Sequence, residues 1–160
     1  MTYATPESLA VEISKRVDAR LDKEQKVKTA ANAVEEISRH FQEVLEEGLA
    51  GLILKGEFKG VPLCSLEAKE GTYTYSYGGA THTVSLPTLE LTLGDDAYTI
   101  APKIEANTTS VVYAVNGRSL FFICEAVPAR IILMVNPHSG RDFTASRGME
   151  FVGMLLNGSK

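Results

Sequence analysis

Tryptophan is absent from this 160-residue chain, and cysteine occurs only twice. Two cysteines, Cys64 and Cys124, are too few for a disulfide framework, and neither stands in a CxxC pair. They read as buried thiols in a reducing compartment. No stretch approaches the roughly 18 apolar residues that a membrane-crossing helix requires. The opening Met1-Thr2-Tyr3-Ala4-Thr5-Pro6-Glu7 lacks the basic and apolar regions of an export signal. A cytoplasmic protein with no membrane partner is therefore expected.

Basic charge is also short. Sixteen Lys and Arg face 20 Asp and Glu, for a net charge of −4. A nucleic-acid binder normally carries the opposite excess, because its cations displace counterions from phosphate. No nucleic-acid partner is expected. The phosphate-cradling patterns GxxxxGK[ST] and GxGxxG are missing, as is the GxSxG turn of serine hydrolases. His40, His82 and His138 are scattered through the chain, with no spacing that suggests shared metal ligation. These absences point away from an enzyme and imply neither a metal nor a cofactor.

What is present divides into two styles. Residues 1–50 carry 17 of the 36 charged side chains, one proline, and no glycine before Gly48. Such a segment favours helix. Thr5 suits the N-cap, Pro6 the first helical position, and Glu7 the positive end of the dipole. Leu9, Ile13, Val17 and Leu21 then recur every fourth residue. A second register runs through Val27, Ala30, Val34, Ile37, Phe41 and Val44. Extended backwards, that register meets Lys23, Arg20 and Arg16, so the two stripes do not join. Either one long helix with a drifting stripe or a helix pair jointed near residues 21–25 follows, ending at Gly48.

Beyond Leu52 the apolar period becomes two. Short strands are expected over Leu52–Phe58 and Pro62–Ala68. Gly78-Gly79 separates Tyr73–Tyr77 from Thr81–Leu86, a hairpin by pattern and turn chemistry. Leu89, Leu91 and Leu93 alternate, and Gly94-Asp95-Asp96 turns the chain into Ala97–Ile100. Asn116-Gly117 predicts a type I′ turn between Val111–Val115 and Ser119–Ile123. The apolar run Arg130–Val135 suits a central strand. Ser146–Leu156 suits a short C-terminal helix ended by Asn157-Gly158. The expected fold is thus α+β in a single domain over residues 1–160. It joins a helical segment, residues 1–48, to an antiparallel meander of eight or nine strands in 49–160.

Two polar or aromatic groups are candidate ligand contacts. The stretch Asn136-Pro137-His138-Ser139-Gly140-Arg141-Asp142 gathers a base, a hydroxyl and a guanidinium behind an apolar strand. His138, Ser139 and Arg141 could hold an anion there. Tyr73, Tyr75 and Tyr77 share one strand face and would form a recognition surface if exposed. The helical register Val27, Ala30, Val34, Ile37, Phe41 and Val44 is either a packing face for the sheet or a dimer interface. The resulting expectation is a non-enzymatic interaction protein, a homodimer through its N-terminal helix, that presents a sheet face for binding. The alternative is a small-molecule binder with an apolar pocket between curved sheet and helix.

Overall fold

Thr5 opens the first helix by exchanging hydrogen bonds with Ser8. The Thr5 hydroxyl accepts from the Ser8 N–H at 3.1 Å, and the Ser8 hydroxyl accepts from the Thr5 N–H at 3.0 Å. Pro6 follows where its missing N–H would have had no helical acceptor. From there helix α1 runs unbroken from Pro6 to Ile53 in the computed structural model, which describes residues 4–136 and 138–157. No joint interrupts residues 21–25. Arg20 bridges Glu24 at 3.1 Å and Asp22 bridges Lys26 at 3.1 Å, both i,i+4 pairs that span the junction. The helix also continues past Gly48. That glycine serves packing and not termination: a Cβ on Gly148 would fall 2.2 Å from the Gly48 carbonyl oxygen. The chain leaves α1 through Leu54 and turns at Gly56, whose φ is +84°.

Leu52 and Ile53 therefore belong to α1, and the strand expected over Leu52–Phe58 shrinks to β1, Glu57–Phe58, paired with β2, Val61–Pro62. Seven further strands form one antiparallel meander in which each pairs with its sequence neighbours. They are β3 (Ser65–Tyr77), β4 (Ala80–Leu93), β5 (Asp96–Ile104), β6 (Ser110–Val115), β7 (Phe121–Ala126), β8 (Ala129–Asn136) and β9 (Ser139–Asp142). A 3-10 turn, Ala145–Arg147, leads into helix α2, Gly148–Asn157. The class is α+β, a long N-terminal helix followed by antiparallel sheet and a short C-terminal helix. Gly78 and Gly79 both take positive φ, 61° and 86°, as a two-residue type I′ turn demands. At Asn116-Gly117 only Gly117 does, at 73°, so the expected type I′ turn is not formed. Arg118 N–H bonds Val115 O at 3.1 Å instead, and β7 starts at Phe121.

The β4–β5 ladder stops at the pair Leu89 and Ile100. Continuing it would soon set Pro87 against Pro102, and neither has an N–H to donate. Beyond this point the far end of the β3–β4 hairpin leaves the sheet and lies along α1 as a flap. The buried positions of β4 change phase there, from Val84 and Leu86 to Leu89, Leu91 and Leu93. That change explains why the sequence reads as two strands where one runs. The polar groups freed by the parting find other partners. Tyr113 donates its hydroxyl to Pro87 O at 2.7 Å, and Ser85 N–H donates to the Glu35 carboxylate at 2.8 Å.

The core lies between the sheet and the second half of α1. Val27, Ala30, Val34, Ile37 and Phe41 are buried, and Val44 packs half-buried beside them. Phe41 packs its ring at a tilt against Tyr113, with centroids 4.5 Å apart, and against Phe122, at 4.8 Å. Phe122 in turn meets Phe143 and Phe151 edge-on, each at 5.0 Å, which ties α2 to the sheet. Ser38, enclosed among these side chains, donates its hydroxyl to Val34 O at 2.9 Å, a bond internal to the helix.

Candidate interaction site

The first half of α1 touches almost nothing. Every residue from Ala4 to Lys26 is exposed, and burial begins abruptly at Val27. The 21 helical residues before Val27 form an arm about 30 Å long. On it Leu9, Val11, Ile13, Val17 and Leu21 stand in solvent, Ile13 at 60% and even the most sheltered, Val17, at 39%. At about 100° per residue, the row Leu9, Ile13, Val17 and Leu21 winds around the helix by about 40° per step. The continuation of the core seam is occupied by the basic row instead. Arg16, Arg20 and Lys23, with Ala19 and Glu24, face the Gly79-Ala80 tip of the β3–β4 hairpin. By Leu21 the apolar row has turned away from the sheet and is open to an incoming surface.

The residues assigned from sequence to a dimer interface are elsewhere. Val27, Ala30, Val34, Ile37, Phe41 and Val44 pack against this chain's own sheet, because the meander curls round that half of the helix. The row that is left uncovered is the earlier one. Its spacing of four was visible in the sequence, but nothing local said which stripe the sheet would cover.

The tyrosine row does not present itself to solvent. The flap turns it inward: Tyr75 is buried, with its hydroxyl donated to the Thr108 carbonyl, and Tyr73 and Tyr77 are half-buried against the core. Burial holds the Tyr75 phenol above its ordinary range. The polar stretch beyond β8 is dispersed in a similar way. Ser139 to Asp142 form the edge strand β9, and Pro137 lies outside the described residues. The Arg141 guanidinium donates to Glu150 at 2.6 Å, and Arg130 donates to Asp142 at 2.9 Å. His138 N–H caps back to the Asn136 side-chain oxygen at 2.8 Å. The cation expected to hold an anion is thus already engaged by a carboxylate, while His138 and Ser139 stay exposed.

Two other features stand nearby, and the first is built from residues the sequence did not single out. Glu70 accepts from Arg39 at 2.6 Å and from the Ser85 hydroxyl at 2.9 Å, next to the Glu35–Ser85 contact. The Arg39 hydrogen bond, reinforced by Ser85, holds the Glu70 carboxyl below the usual carboxylate range. This group clamps the flap to α1. On the opposite flank of the helix, a shallow apolar groove of about 370 Å³ between Ala30, Ala33, Tyr77 and Val127 continues into one of about 290 Å³ beside Ile37 and His40.

Burial pushes the thiols of Cys64 and Cys124 upward, which leaves them poor nucleophiles, and both are free. Among the described residues, no group of three or more His, Cys, Asp or Glu stands close enough to share a metal ion. No helix among them is long and apolar enough to cross a membrane. No family model, curated protein or solved structure matches the chain.

Proposed function

We propose that this chain is a non-enzymatic interaction protein whose docking element is the arm of α1, and that it self-associates through that arm. The observation that carries the reading is the exposed row Leu9, Ile13, Val17 and Leu21 on a helix otherwise well supplied with charge. Large apolar side chains left in water at regular helical spacing mark a contact surface. The sheet, the flap and α2 then act as the mount that keeps the arm rigid. The two free, buried cysteines are in keeping with a reducing, cytoplasmic setting.

Native mass spectrometry of the intact chain, beside Val17→Glu, tests the proposal. A dimer that Val17→Glu converts to a folded monomer supports it. A native monomer, or a dimer indifferent to the substitution, rejects it. A second reading, a binder of small apolar molecules, is favoured by the flank groove alone. It requires reproducible added mass on each subunit in the same spectrum, lost when Ala33→Leu fills the groove.

A further inference from the structure

Resting on that reading of the arm, we infer that its occupant is the arm of a second copy lying antiparallel, with Leu9 opposite the partner's Leu21 and Ile13 opposite the partner's Val17. Three observations converge on this arrangement. The apolar row is centred on the helical arm to within a residue: Leu9 to Leu21 has its midpoint at residue 15, and the exposed helical stretch from Pro6 to Lys26 has its midpoint at residue 16. A row centred in this way is self-complementary about a two-fold axis, which closes the assembly at two copies. The helical pairing also ends before the body begins, since Pro6 of the partner falls opposite Glu24, three residues short of Val27.

Charge then selects the orientation. The helical turns from Glu7 to Ser14 contain two acidic residues, Glu7 and Glu12, and no basic one. Lys15 to Lys26 contain five basic and three acidic residues, a net of +2. A parallel pair would set −2 against −2 and +2 against +2, whereas an antiparallel pair sets each end against its opposite. In that register Glu7 of one arm falls opposite Lys23 of the other, while Glu12 falls opposite Asp18 with Arg16 and Arg20 two residues to either side. Within one chain Glu12 meets Arg16 at a loose 3.5 Å and in solvent.

The row follows the i, i+4 ridge of the helix. Two such ridges interlock at a crossing angle of about −50°, so the closest contact falls on Ile13 and Val17 beside the axis, with Leu9 and Leu21 at its margins. A contact carried by four side chains on each arm is small beside the roughly 1,200 Å² at which specific, stable complexes begin. A dimer that forms and dissociates with protein concentration follows from that size.

Spin labelling decides the orientation. Gln25→Cys places one nitroxide at the base of each arm, and the native thiols are buried and protected from the label. Antiparallel arms hold the two labels about 30 Å apart or more, because about 20 residues at 1.5 Å separate them along the axis. In-register parallel arms bring them within about 20 Å. The long distance, lost on dilution and absent when Val17→Glu is added, is the expected result. A dimer with the short distance overturns the orientation while the docking role of the arm stands. A dimer that Val17→Glu leaves intact overturns both.

Discussion

At the residue scale, the two halves of α1 respond to substitution in opposite ways. Phe41 has no exposed surface and touches two other aromatic rings. Phe41→Ala is expected to cost about 3–5 kcal/mol, the range for truncating a large buried aromatic. Leu21→Ala, on the exposed arm, should change unfolding of the monomer by no more than about 0.5 kcal/mol. Urea titration of both variants at low concentration checks the contrast. The Glu70 carboxyl gives a pH signature. Its folded pKa is depressed, so the stability it contributes is present above its unfolded pKa and is lost as pH falls through the folded value. Glu70→Gln should therefore narrow the gap between the melting temperatures at pH 7 and pH 3, with most of the change at pH 7. An unchanged gap would show that Arg39 and Ser85 hold Glu70 without energetic consequence.

At the element scale, the tightest constraint is the crossing of α1 and α2. Gly148→Ala would drive a methyl group to 2.2 Å from the Gly48 carbonyl oxygen, against backbone that has no rotamer with which to yield. The helices must separate, and the melting temperature should fall by several degrees. Gly51, three residues beyond Gly48, has open space around its Cα. Gly51→Ala should raise stability by about 0.5–1 kcal/mol through helix propensity alone. A comparable loss in both variants would refute the close crossing.

This crossing also shows where the sequence is readable. The cap at Thr5, the Gly78-Gly79 turn and the sequential hairpins are local, and residue types near each site decide them. Gly48 is different, because its neighbour is a hundred residues away and its local grammar, a glycine after a charged helix, reads as a terminus. The tyrosines and Arg141 fall in the same class. Their residue types suit recognition, but the curl of the flap and the position of Glu150 use them up.

At the scale of the whole molecule, the accessible surface is 9840 Å². A compact monomer of 17.3 kDa exposes about 7,800 Å². Much of the excess of about 2,000 Å² is the arm, which the body never covers. Removing residues 1–21 should thus leave the melting temperature of the monomer within a few degrees of the full chain. Sedimentation should show that the same deletion abolishes association. Loss of the fold on deletion would mean that the arm stabilises the body.

Arm and core seam share one uninterrupted hydrogen-bond ladder, with no glycine or proline between Pro6 and Gly48 to act as a hinge. The arm therefore behaves as a stiff lever whose short end is buried beneath the sheet. A grip on Val17 is felt at Val34 as torque and axial load, and amide exchange from Val27 to Val34 should slow whenever the arm is held.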